Sequence, residues 1–131
     1  MIVLDTHALV WFVSNPALLS KKALAAIDDF IERKSVYISS ISIWEIALLV
    51  KHERIVLAMA LDTWIGKIEA LSLFSFVPVN NRIAYRSVNL HSPFHKDPAD
   101  RIIVATALEL GASVISKDEK ILGYDFVKTI W

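Results

Sequence analysis

The chain has no cysteine and, across 131 residues, only three glycines and four prolines. The missing thiols exclude disulfides, thiolate metal sites and a cysteine nucleophile. So few glycines and prolines leave little room for long loops, and no repeat, low-complexity stretch or linker breaks the pattern. No uncharged apolar run reaches the roughly 18 residues that a membrane span needs, and the start lacks the basic segment and small-residue cleavage site of a secretory leader. A cytoplasmic protein with no membrane segment is therefore expected. Net charge is also missing, because fourteen basic and fourteen acidic side chains cancel. Any nucleic acid must then be held by a local basic patch. Neither a Gly-x-Ser-x-Gly elbow nor a glycine-rich phosphate loop occurs.

What the chain has in excess is apolar surface. Hydrophobic residues make up 55% of it and mean hydropathy is +0.49. A single domain over residues 1–131 suffices for a real core. Surplus apolar surface on so small a domain favours a homodimer or higher oligomer, or a protein partner.

Local patterns predict alternating strands and helices. Residues 2 to 5 read as a short buried strand, and His7 to Val13 as a helix stopped by Ser14-Asn15-Pro16. A second helix runs from about Lys21 to Arg33 with Ser20 as N-cap. Val36 to Ile38 is a strand, Ser39 or Ser42 opens a helix to about His52, and Leu61 to Leu71 recur at helical spacing. Phe74 to Val79 reads as strand, Arg82 to Val88 as a weaker helix, and Asn89 to Lys96 as a polar loop. Asp97-Pro98 starts a helix that ends at Gly111. Ser113 to Ser116 is a strand, Glu119 to Leu122 a helical turn, and Phe126 to Ile130 a last strand. Strands separated by helices imply an α/β fold with parallel pairing and helices on both faces.

Four carboxylates stand where this apolar chain becomes polar: Asp5 after Met-Ile-Val-Leu, Glu45 within Ile-Trp-Glu-Ile, Asp100 before Arg-Ile-Ile-Val-Ala, and Asp118 after Val-Ile-Ser-Lys. Desolvating a carboxylate costs several kcal/mol unless a cation or hydrogen-bond donors compensate it, so four of them suggest a shared metal. Ligands of parallel sheets collect beyond the carboxyl ends of strands, where Asp5 and Asp118 fall. Glu45 and Asp100 lie in the first turns of helices on the same rim. Three of these acids also have a plainer role open to them, and Asp100 gains from the helix dipole. Asp5 can cap the helix after it, Glu45 can complete a capping box with Ser42, and Asp118 can belong to a solvated turn. Asp97 is expected first as an N-cap.

The residues Asp5-Thr6-His7, Ser39 to Ile46 ending in Trp44-Glu45-Ile46, Asp97-Pro98-Ala99-Asp100-Arg101 and Ser116-Lys117-Asp118, in that order, resemble the PIN-domain ribonucleases. More narrowly they are similar to the VapC-type toxins of toxin-antitoxin pairs. The resemblance covers nearly the whole chain. It implies a three-layer α/β/α sandwich around a mainly parallel sheet of four to five strands. It also implies an endoribonuclease whose acidic metal-site residues fall on Asp5, Glu45, Asp100 and Asp118, and whose helix-starting Asp-Pro pair falls on Asp97-Pro98. RNA is the implied substrate and a small antitoxin the implied partner. In this family a Thr usually precedes the last acid-bearing turn; Ser116 stands there and keeps the hydroxyl.

An all-oxygen acidic site suits Mg²⁺ or Mn²⁺, and a water of lowered pKa can then attack a phosphodiester in line with no side-chain nucleophile. Thr6, Ser116 and Asp97 are candidates to orient the acids or water from behind. Lys51, Arg54, Arg82, Arg86, Lys96, Arg101 and Lys117 are the cations available to RNA, with Arg101 alternatively pairing with an acid. His7 reads as a helix-start or core histidine, and His52, His91 and His95 have no zinc-site spacing. Trp11, Trp44 and Trp64 read as core or interface residues before base-stacking platforms. Two rivals remain: a receiver-like signalling domain, which would need an Asp at the end of a central strand where neither Val36 to Ile38 nor Phe74 to Val79 has one, and a binding module of the same fold without turnover.

Overall fold

Ile2 and Leu4 face one way and Val3 the other, and this parity organises the whole molecule. The computed structural model describes residues 1–131. Its five strands are β1 (Ile2–Leu4), β2 (Val36–Ser39), β3 (Ser75–Val77), β4 (Ser113–Ile115) and β5 (Thr129–Ile130). All pair in parallel, in the order β3-β2-β1-β4-β5. The sheet is thus wholly parallel, which the strand-helix alternation required: parallel neighbours need crossovers, and the helices supply them.

The helices are α1 (Thr6–Ser14), α2 (Lys21–Glu32), α3 (Ser40–Lys51), α4 (Leu61–Ala70), α5 (Asn81–Val88), α6 (Pro98–Leu110) and α7 (Glu119–Leu122). Ile2, Leu4, Val36, Ile38 and Ile115 meet Leu9, Ile27, Ile46 and Trp64 on one face. Val3 and Val114 meet Ile103, Val104 and Ile121 on the other. A buried residue such as Ile27, 0% exposed, would cost about 2–5 kcal/mol on truncation to Ala. The three-layer α/β/α arrangement expected from the sequence is what forms.

Local signals set most boundaries. Ser20 Oγ accepts from Ala23 N at 3.0 Å. Asp97 caps α6 with Pro98 in its first turn, and Gly111 closes it at φ 67°, where a side chain would be strained. Ser39, and not Ser42, caps α3. The weaker helix begins at Asn81 because Asn80 Oδ1 accepts from Ile83 N at 2.9 Å. A 3-10 turn, Pro16–Leu18, follows α1 where only a stop was expected. The last strand shrinks to two residues, and β3 to three.

β1 sits at the centre with β2 on one side and β4 on the other, so the chain's direction of winding reverses there. Such a reversal opens a crevice beyond the carboxyl ends of the two strands. Asp5 follows β1, and Ser116 to Asp118 follow β4. No helix is long and apolar enough to cross a membrane.

Candidate metal centre

The crevice is a cleft of about 270 Å³ lined by Asp5, Glu45, Asp97, Asp100 and Asp118 together with Thr6, His7, Val10, Trp11, Leu49 and Ile55. All four acids singled out in the sequence face it, and Asp97 joins them.

Asp5 is the most buried, 3% exposed, and donors surround it. Its Oδ1 accepts from Thr6 N at 2.7 Å. Its Oδ2 accepts from Ser116 Oγ at 2.6 Å, and His7 Nδ1 stands 3.4 Å from the same oxygen. Ser116 Oγ in turn accepts from Asp118 N at 3.0 Å. His7 Nε2 accepts from Lys117 N at 3.0 Å; with that nitrogen lone-paired, a neutral ring carries its proton on Nδ1, toward Asp5. The turn after β4 is therefore tied to the turn after β1 by hydrogen bonds between residues 110 and 111 apart. Capping and site-building coincide at Asp5, because the exposed amides of a helix start are also the donors that hold a buried carboxylate.

The opposite wall is acid-rich and donor-poor. Glu45, Asp97 and Asp100 each offer an oxygen, and these atoms lie within 4.8 Å of one another. Asp97 Oδ1 accepts from Asp100 N at 3.0 Å. Burial raises the Glu45 carboxyl above its ordinary value; a hydrogen bond from Thr6 draws it back, and the charges of Asp5 and Asp97 raise it further. Thr6 Oγ1 is also bonded to Ser42 Oγ at 2.9 Å, a buried hydroxyl that lies inside α3 and not at its cap. Asp100 is pushed up to about 8, first by burial and then by Asp5, Asp97, Asp118 and Glu45. Asp118 caps α7 through its bond from Lys120 N at 2.8 Å and still lines the cleft.

No arginine or lysine neutralises the cluster. Arg101, a candidate partner for these acids or for RNA, donates instead to the carbonyls of Ser87, Val88, Phe94 and His95 at 2.8 to 3.2 Å. Arg82 and Arg86 pair with Glu109, away from the cleft. Sequence reasoning missed His95, whose Nε2 stands 3.0 Å from Asp100 Oδ2. That contact is off-line, so the buried Nε2 has no hydrogen-bond partner; Nδ1 accepts from Asp97 N at 3.4 Å. Its place two residues before Asp97 was the available signal. The apolar side of the cleft was missed too, although Leu49 follows Glu45 at the i+4 spacing that shares a helix face.

Comparison with known proteins agrees with this geometry. A PIN-domain family model matches residues 2–127. The chain is 33% identical over 133 aligned positions to "Ribonuclease VapC22" of Mycobacterium tuberculosis, covering 99% of this chain and 98% of that protein. Among solved structures it is similar in fold to VapBC2 of Rickettsia felis bound to a promoter DNA fragment, at TM-score 0.70 and 15% identity over 98% of this chain and 97% of that one. The FitAcB structure from Neisseria gonorrhoeae matches at TM-score 0.65 and 24% identity, over 98% and 96% of the respective chains. A central parallel sheet with acids gathered where its winding reverses, matched from end to end by one family model, makes this chain a member of the PIN-domain family.

Proposed function

We propose that the protein is a divalent-cation-dependent endoribonuclease and the toxin of a toxin-antitoxin pair. The observation that carries this reading is the convergence of Glu45, Asp97 and Asp100 within 4.8 Å, with Asp5 and Asp118 on the same cleft and no cationic side chain among them. The whole-length likeness to a protein named a ribonuclease supplies the reaction class.

The donor set fits a hard cation. Every candidate ligand is a carboxylate oxygen, the set that suits Mg²⁺ or Mn²⁺ over softer metals. The elevated Asp100 marks a carboxyl that is buried first and crowded by other carboxylates second. Glu45, Asp97 and Asp100 would hold the ion, with Asp5 and Asp118 within the same cleft. A bound divalent cation supplies Lewis acidity toward a phosphodiester and lowers the pKa of water. The chain's own residues do the positioning. Thr6 N and Ser116 Oγ fix both oxygens of Asp5, Asp97 orients the first turn of α6, and a carboxylate of the cleft accepts the proton of the attacking water.

A small antitoxin is the proposed partner, and the toxin acts in the cytoplasm, as a homodimer or larger assembly. A second, apolar groove of about 430 Å³ opens beside the cleft, lined by Val13, Val56, Leu57, Met59, Ile68 and Leu71 among others. Val10 and Ile55 border both. A partner segment laid in this groove would reach the acids. Val56 is 93% exposed, so the surplus hydrophobicity of the sequence has a physical location.

The test is cleavage of RNA by protein stripped with EDTA and reloaded. Mg²⁺ or Mn²⁺ should restore cutting, and expression of the wild type alone should slow bacterial growth while Asp100→Asn does not. Equal cutting by stripped protein would refute the metal-dependent reading.

A further inference from the structure

The cleft has two chemistries. One helical turn beyond Asp5 and Thr6, Val10 and Trp11 line it from α1; one turn beyond Glu45, Leu49 lines it from α3, with Ile55 alongside. This apolar part of the wall has no use for a phosphate. It suits what a phosphate in the acids brings with it: a ribose and a base.

The three tryptophans expected in core or interface separate sharply. Trp64 is 4% exposed and Trp44 is 52% exposed; Trp11 is intermediate, packed on the core and open to the cleft. Its ring is steadied by His7 at 4.8 Å and Trp131 at 6.0 Å, both tilted. The Lys117 ammonium lies over one face of the ring, 5.7 Å from its centroid, and belongs to no ion pair of the protein. An oriented indole beside a free cation and a phosphate-handling site combines the elements by which single strands are held: a face for stacking and a charge for the backbone.

We propose that Trp11 is a nucleobase platform, receiving the base next to the phosphate at the acids, with Val10, Leu49 and Ile55 completing the wall and Lys117 meeting the strand's backbone. This rests on the ribonuclease reading and adds to it. It requires an unpaired base at that one register, since a base within a duplex has no free face to offer.

The test is single-turnover mixing of Mn²⁺-loaded protein with a short single-stranded RNA. A 2-aminopurine is walked along one series and an abasic residue along another, and quenching is read before cleavage. One register should quench strongly. Trp11→Leu should raise the half-saturating concentration by about five- to a hundred-fold while the maximal rate moves less than about twofold, and Trp11→Phe should recover most of the loss. An abasic residue at the quenched register should cost wild type as much as the Leu substitution does, and should cost Trp11→Leu nothing further. If base-bearing and abasic RNA lose equally in Trp11→Leu, or only the maximal rate falls, Trp11 acts through packing and the inference is wrong. Unchanged RNA binding with lost neutralisation by a co-expressed antitoxin would make the wall a protein contact and overturn it equally. Should Trp11→Leu not fold, the abasic walk with wild type and Trp11→Phe decides: no register dependence refutes the platform. Wild type that cuts RNA without any quench defeats the platform alone; wild type that neither binds nor cuts RNA defeats the ribonuclease reading with it.

Discussion

Asp5 and Asp100 face each other across one cleft and are held in opposite ways. Asp5 is nearly sealed, 3% exposed, and both its oxygens accept short hydrogen bonds, at 2.7 and 2.6 Å. Asp100 is less enclosed, yet it has no aligned donor, and burial with four neighbouring carboxylates pushes it up to about 8. Burial alone therefore does not decide what a carboxylate costs; the donors around it do. The wall at the ends of β1 and β4 is held by hydrogen bonds from the protein itself, whereas the wall at the start of α6 is poor in such donors.

The largest effect that separates the two walls is on activity against stability. Asp100→Asn should cut RNA at less than about one hundredth of the wild-type rate with its circular dichroism intact and no loss of stability, because it loses a proposed ligand and no structural bond. Asp5→Asn should be as inactive and in addition less stable by about 1–3 kcal/mol, since an amide cannot accept at both positions. Equal melting temperatures for the two variants would erase the distinction.

Next comes Ser116, which touches only the hydrogen-bonded wall. Ser116→Ala removes the 2.6 Å bond to Asp5 and the acceptor of Asp118 N. It should destabilise the fold by about 1.5–3 kcal/mol and weaken divalent-cation binding by about 10–100-fold, read by chemical denaturation and calorimetry. Ser116→Thr, which keeps the hydroxyl, should be close to wild type. An unaffected Ala variant would mean that the donors around Asp5 are incidental.

The smallest effect is the pH dependence of the cation-free protein. Asp100 has a folded value of about 8 against an unfolded value of about 4. Between these the folded state binds more protons, so stability is greatest below the unfolded value and declines as pH rises through the folded one. Thermal melts without cation should therefore fall from pH 6 to pH 9. In Asp100→Asn that part of the slope is absent, so the variant should melt above wild type at pH 9, by less at pH 6, and should match it only near the unfolded value. Saturating Mg²⁺ should raise the wild-type melt at pH 9 and flatten the curve. A wild-type melt that rises over this range and ignores Mg²⁺ would leave the Asp100 wall without its predicted stress.

What the sequence made legible was local. Ser20, the Asp97-Pro98 pair and Gly111 announce helix ends because capping needs only neighbours along the chain. Asn80 is as good a cap but stood beyond a pattern already weak, so α5 began early, and the 3-10 turn after Asn15 had no periodicity to betray it. For the site, the apolar company of Asp5, Glu45 and Asp100 was enough to single them out, while their convergence depended on β1 lying between β2 and β4. The bond between Ser116 and Asp5, 111 residues apart, has no local trace. His95 was passed over for lack of zinc-like spacing. Arg101 was expected to seek an anion, yet four carbonyls satisfy its fork, as loop geometry and not charge determines.

The central claim is that this donor-poor wall is a cation site, and titration calorimetry of Mn²⁺ at pH 7 in two buffers of different ionisation enthalpy tests it most directly. With Asp100 near 8, binding should displace its proton, so the apparent heat should depend on the buffer. Asp100→Asn should bind more weakly by at least about tenfold and release no proton from this position. Identical isotherms for wild type and Asp100→Asn, or heats independent of buffer, would contradict the claim.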